Sequence, residues 1–162
     1  MPVTFGAVGD IIAVVLVVKD LVDALDKARG SKVQHQAAMR ELGLLERNLL
    51  EIGVLIRRHG DGATPELQGL CELAKEYVAT CNNLVTTYKD RVEKYRTTFD
   101  QAQAPKRLSE AFMAIRWRFE EKEALEKFRE ELGGLVQNLQ VLMITVDMYA
   151  KITLLFSSML IP

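Results

Sequence analysis

The side chains in this sequence that could carry chemistry are two histidines, two cysteines and a cluster of glutamates. A zinc or iron site needs several converging His, Cys, Asp or Glu ligands, which in sequence commonly show as pairs a few residues apart. His35 and His59 lie far apart among surface-type residues with no such partners, so both read as solvated histidines. Glu120, Glu121, Glu123, Glu126, Glu130 and Glu131 could suggest a carboxylate-bridged metal pair, but that chemistry also needs Glu-x-x-His pairs on other helices, and the sequence has none. With Lys122, Lys127 and Arg129 among them, these acids read as a solvated face. Gly60-Asp61-Gly62 lacks the following lysine and the preceding strand of a phosphate-cradling loop, and Gly133-Gly134 reads as a place for close helix packing or a bend. Cys71 and Cys81 are ten residues apart on one expected helix, hence ~15 Å at 1.5 Å per residue, too far for a disulfide. Free thiols fit a reducing cytosol. No catalytic, cofactor or metal site is expected.

Two stretches depart from an ordinary helical protein. Residues 3–18 are almost wholly apolar, and a helix apolar all round belongs either in the centre of a core or in a membrane. The run is shorter than the roughly 20 residues a membrane span requires, so both readings stand. It has no basic leader or small-residue cleavage site, Asp10 interrupts it, and Pro2 stands where myristoylation needs a glycine; secretion and myristoylation are therefore not expected. Between Tyr88 and Arg118, Lys89, Arg91, Lys94, Arg96, Lys106, Arg107, Arg116 and Arg118 outnumber Asp90, Glu93, Asp100 and Glu110. This is either a solvated face or a patch for anionic lipid head groups, where each cation contributes on the order of 1 kcal/mol. The stretch from Val141 to Ile161 is also apolar, broken by Asp147 and Lys151 at a spacing that permits an ion pair.

The elements that position these residues are helices. With 162 residues, 49% hydrophobic and 27% charged, the chain fits one folded domain (residues 1–162), and a net charge of −1 argues against a nucleic-acid partner. Asp10 can cap a first helix that ends at Gly30. Ser31 and Gln34 form a capping box for a second helix running to about His59, with Ala38, Leu42, Leu45, Leu49, Ile52 and Ile56 as its apolar stripe and Gly60 as its C-cap. Thr64-Pro65 opens a third helix of about 35 residues with the stripe Leu67, Leu70, Ala74, Tyr77, Cys81, Leu84, Tyr88, Val92, Tyr95 and Phe99. After a break at 101–105 come a short segment to about Trp117 and a last long helix carrying Leu125, Phe128, Leu132, Leu135, Leu139, Leu142, Val146 and Tyr149. The expected fold is all-α, an antiparallel bundle of four to five long amphipathic helices.

Three stretches together carry a family resemblance: Phe5-Gly6-Ala7-Val8-Gly9-Asp10-Ile11-Ile12-Ala13; Arg40-Glu41-Leu42 with Leu44-Leu45-Glu46; and Ile115-Arg116-Trp117 followed by Glu121-Lys122-Glu123-Ala124-Leu125-Glu126-Lys127-Phe128-Arg129-Glu130-Glu131-Leu132. In these the chain resembles the HeLo-like N-terminal domain of fungal STAND (NOD-like) receptors and cell-death executioners. The resemblance implies a bundle related in form to HeLo and to the helical bundle of necroptosis pseudokinases. It also implies a cytoplasmic, non-enzymatic domain that moves to the plasma membrane on activation, self-associates and permeabilises it. The inserting element would be the N-terminal segment, residues 1–18, through Val3, Phe5, Val8, Ile11, Ile12, Val14, Val15, Leu16, Val17 and Val18. Lys94, Arg96, Lys106, Arg107, Arg116 and Arg118 are the expected contacts to anionic membrane lipids, a role assigned from charge alone. An upstream STAND receptor or an attached C-terminal domain would be the signalling partner. The alternative is an adaptor module that relays oligomerisation without touching lipid.

Overall fold

The computed structural model describes residues 6–27, 32–59, 64–101 and 107–160, and these stretches form four helices: α1 (Gly6–Lys27), α2 (Lys32–His59), α3 (Pro65–Gln101) and α4 (Arg107–Met159). The start of α3 is set by local chemistry. The Thr64 hydroxyl accepts a hydrogen bond from the Leu67 N–H at 3.4 Å, its carbonyl accepts one from the Gln68 N–H at 3.0 Å, and Pro65 occupies the first helical position, where its missing N–H costs nothing. The expected caps at Ser31 and Gly60 lie outside the described residues.

Two boundaries differ from the sequence expectation. Helix α1 begins at Gly6, so Asp10 is an exposed side chain inside the helix and not its cap. Nothing from Gly6 to Gly9 forbids helical geometry, and half-buried Val8 gives the added turn something to pack on. The short segment before Trp117 and the last helix are one continuous 53-residue α4, ~80 Å long. Residues 116–122 contain no glycine or proline, so there was no breaker to part them.

Helical periodicity builds the core. All six stripe residues of α2 are buried, and on α4 Leu125, Phe128, Leu132, Leu139, Leu142 and Val146 are buried with Val136, while Leu135 lies half-buried beside the seam. On α3 the buried seam is Leu67, Cys71, Ala74, Val78, Cys81, Val85 and Tyr88. The larger Leu70, Tyr77 and Leu84 flank it half-buried, because small residues on the seam let neighbouring helices approach while long side chains reach in from the shoulders. Tyr95 and Phe99 lie outside the residues whose side chains are described. The Tyr88 and Phe128 rings stack at 4.1 Å with planes 10° apart, joining α3 to α4.

Polar contacts give the register. Along α2, His35, Glu41 and Asn48 meet Glu121, Arg129 and Val136 of α4 in rising order. Asp20 of α1 pairs with Lys89 of α3 at 3.1 Å, and Lys19 pairs with Glu46 of α2 at 3.5 Å. Each of α1 and α4 packs on both α2 and α3, and the described parts of α1 and α4 do not touch. α1 and α4 are therefore the outer helices across the α2–α3 diagonal.

Gly133 and Gly134 do not serve close packing, since a Cβ at either position would meet nothing within 4 Å and α4 continues through them. Among the described glycines Gly53 is at a contact, where an added Cβ would stand 3.6 Å from Ile11 Cδ1, an ordinary packing distance.

Candidate functional site

The expected inserting segment is divided by the fold. Ile11, Val14, Val15 and Val18 point into the core, Val8 and Val17 are half-buried, and Ile12 and Leu16 are exposed at 52% and 56%. Val3 and Phe5 lie outside the residues whose side chains are described. The segment is thus not apolar without purpose on every side: one face holds α1 to α2 and α3, and Gly9, Ile12, Ala13 and Leu16 form an apolar strip facing solvent. Beside that strip, Asp10, Ile11, Ala13 and Val14 line a shallow groove of about 190 Å³ with Ile56, Lys75, Val78, Ala79 and Asn82. Lys75 itself bonds Glu72 at 2.6 Å.

Of the expected lipid-binding cations, Lys94 is exposed near the C-terminal end of α3. Arg107, Arg116 and Arg118 lie on the first turns of α4 and Arg96 on the last turns of α3, but their side chains, and all of Lys106, lie outside the described residues. The backbone places this stretch at the end of the bundle where α1 finishes, since Asp20 already meets Lys89. The N-terminal segment begins at the other end, where Ile11 faces Gly53 and shares the groove with Val78. The two elements that the sequence joined in one membrane role are therefore separated along the bundle axis.

A third surface is more prominent than either. Val146 is the last buried residue of α4; beyond it Met148, Tyr149, Ile152, Leu154, Leu155, Phe156, Met159 and Leu160 are exposed, Phe156 at 64% and Leu160 at 81%. The α2 partner of this region is its last turn, because Leu55 and Ile56 line a crevice with Leu142, Met143 and Val146. α4 therefore runs on past the end of α2, at the end of the bundle where α1 and α3 begin. Along its packed part, Val141, Ile144 and Met148 form a further exposed strip opposite the buried seam. Asp147 and Lys151 form the ion pair their spacing suggested, at 2.6 Å. Among the described residues, α4 alone is long and apolar enough to cross a membrane, and only 17% of its most apolar window is buried.

The chain matches no protein-family model, no curated protein and no solved structure.

The side chains with chemical potential are bound into structure. His35 is not solvated: it is 5% exposed, with Nε2 at 3.7 Å from Oε1 of half-buried Glu121. It stands three and seven residues before Ala38 and Leu42, so the α2 period turns it inward whatever its immediate neighbours. Glu121 accordingly leaves the solvated acidic face, and Arg129 leaves it as well, binding Glu41 of α2. Cys71 and Cys81 are free and buried; burial pushes both thiols up, that of Cys81 to about 12, so neither is a nucleophile near neutral pH. No group of three or more His, Cys, Asp or Glu is placed to hold a metal among the described residues. What the geometry offers is apolar surface at one end of a helical bundle.

Proposed function

We propose that this chain is a membrane-targeting, membrane-permeabilising signalling domain of the HeLo-like kind, serving programmed cell death or innate immunity in fungi. It works from the cytoplasm, moves to the plasma membrane on activation, self-associates there and inserts its N-terminal segment. It needs no catalytic chemistry, and its partners are anionic lipids, further copies of itself and an upstream receptor or attached domain. The observation that carries this reading is the exposed apolar surface of α4 from Val141 to Leu160: the core helix of a soluble bundle keeps most of such surface buried, whereas only 17% of the most apolar part of α4 is.

The bundle is read as antiparallel between helices adjacent in sequence. The falling pairs Ile11–Gly53 and Lys19–Glu46, and Tyr88–Phe128 followed by Arg91–Glu120, support that sense. Of the two outer helices α1 is much the shorter, 22 residues against 53, and is the one this reading has leave. Its six buried apolar side chains, at roughly 1.5–3 kcal/mol each, hold it by on the order of 10 kcal/mol, so release requires a membrane or a receptor to take over that apolar surface.

The adaptor reading has one observation in its favour. Val141, Ile144 and Met148 recur at helix–helix spacing on the solvent side of α4, a seam that a second copy could cover without lipid. Dye release from anionic vesicles separates the two. The folded chain is expected to release dye, and Ile12→Ser with Leu16→Ser, both at exposed positions, to abolish release while leaving thermal unfolding in place. Release undiminished in that folded variant overturns N-terminal insertion; self-association with no release by the parent chain leaves the adaptor.

A further inference from the structure

The end of the bundle opposite the Lys94–Arg118 stretch combines three features. The first is the projecting end of α4. On a packed helix exposed apolar residues keep to one side; past Val146 they occupy every side, with Ile152, Leu154, Leu155 and Phe156 at successive angles around the axis. A second helix covers one stripe, whereas a fluid apolar phase covers the whole circumference.

The second feature is length. Ile152 to Leu160 carry no charged side chain. Nine residues at 1.5 Å span ~14 Å, close to half of a hydrocarbon core ~30 Å thick. The hydroxyls in this stretch are largely satisfied within the helix: Thr153 Oγ1 donates to the Tyr149 carbonyl at 2.9 Å and Ser158 Oγ to the Leu155 carbonyl at 2.8 Å. Internally bonded hydroxyls remove most of the cost of placing Thr and Ser in lipid.

The third is charge. The last turn of α2 carries Arg57, Arg58 and His59. Arg57 and Arg58 are exposed, and neither forms an ion pair with a described residue. Leu55 shares a crevice with Met143 and Val146, which places Arg57 and Arg58 level with the root of the projection, at the height of the mutually neutralised Asp147–Lys151 pair. Long cationic side chains at that level reach phosphate while the apolar stretch lies beyond it.

We infer that Ile152 to Leu160 of α4 enter one leaflet of an anionic membrane, with Arg57 and Arg58 at the head groups. This rests on the membrane reading above but assigns first contact to the C-terminal end of α4, not to α1 or to the Lys94–Arg118 stretch. It also sets the bundle upright on the membrane with the start of α1 facing it, since α1 begins at the same end.

An environment-sensitive fluorophore attached at Ser158→Cys tests this in the full chain, because buried Cys71 and Cys81 do not compete for the label. The controls are the same label at Thr87→Cys, on the exposed side of α3, and at Ile12→Cys on α1. The label at 158 is expected to brighten several-fold and shift to the blue with phosphatidylcholine/phosphatidylserine vesicles, to do so far less with phosphatidylcholine alone, and to lose the response in Arg57→Glu/Arg58→Glu. The label at 87 should stay unchanged. A silent 158 with a responsive 12 overturns the inference and keeps the membrane reading. A responsive 158 without dye release keeps the inference and removes permeabilisation. Brightening at 158 that depends on protein concentration and needs no vesicles shows a second copy as the occupant and overturns it.

Discussion

Arg129 of α4 grips Glu41 of α2 through two bonds, Nε to Oε2 at 3.1 Å and Nη2 to Oε1 at 2.7 Å. The paired geometry fixes the axial position of α4 against α2, and therefore how much of α4 is left beyond His59. Both side chains are about a third exposed, so solvent screening limits the stabilisation to about 1 kcal/mol. Glu41→Gln and Arg129→Met are each expected to lower the melting temperature by roughly 2–4 °C, and the double variant by less than the sum. Strict additivity in that cycle would show that the pair is not coupled.

Core and projection should respond oppositely to the same chemical change. Leu132→Ala removes a fully buried side chain and is expected to cost about 2–5 kcal/mol. Leu155→Ala, with a side chain mostly in water, should leave thermal unfolding where it is. A large loss of stability from Leu155→Ala would mean that the end of α4 is packed in solution.

Asn48 is buried, with a single long hydrogen bond from Nδ2 to the Val136 carbonyl at 3.5 Å. A buried amide so weakly bonded stabilises little, so Asn48→Leu is expected to raise the melting temperature. Its worth lies in register, as buried polar residues have in other helical assemblies. Sedimentation should show the variant more prone to self-associate; a clear fall in melting temperature would contradict this account of Asn48.

Alkaline stability follows from the buried thiol. Cys81 ionises near 9.0 when unfolded and at about 12 when folded, so the folded state holds the proton more tightly. The stability it contributes is complete below pH 9 and is lost as pH rises from 9 toward 12. Cys71 and Tyr88, both pushed up chiefly by burial, act in the same direction. Chemical unfolding midpoints should be flat from pH 7 to 9 and fall above it, and Cys81→Ala should flatten that fall; thiol alkylation of the native chain at pH 8 should be negligible.

The helices were legible in the sequence because the apolar stripe of α2 and most of that of α4 obey one period over many turns. His35 was misread because its flanking residues are polar, whereas the neighbours that matter on a helix are three, four and seven residues away. Large side chains misled on α3, where Leu70, Tyr77 and Leu84 drew attention from the smaller Cys71, Val78 and Val85 that occupy the seam. The apolar character of residues 141–161 was visible, but its exposure was not. That depends on where α2 stops and α3 begins relative to α4, a register fixed by pairs such as Glu41–Arg129 that lie 88 residues apart in sequence.

Amide hydrogen exchange tests the membrane account most directly, because it reads every helix at once in the unmodified chain. In solution the amides of residues 152–160 should exchange fast, lacking partner helices, while those of α2 and of the packed part of α4 exchange slowly. On phosphatidylserine-containing vesicles, protection should rise across 152–160 and be lost in α1 if that helix leaves the bundle to insert. Unchanged exchange at 152–160 with vesicles bound, or protection gained over 94–118 in its place, would contradict the account.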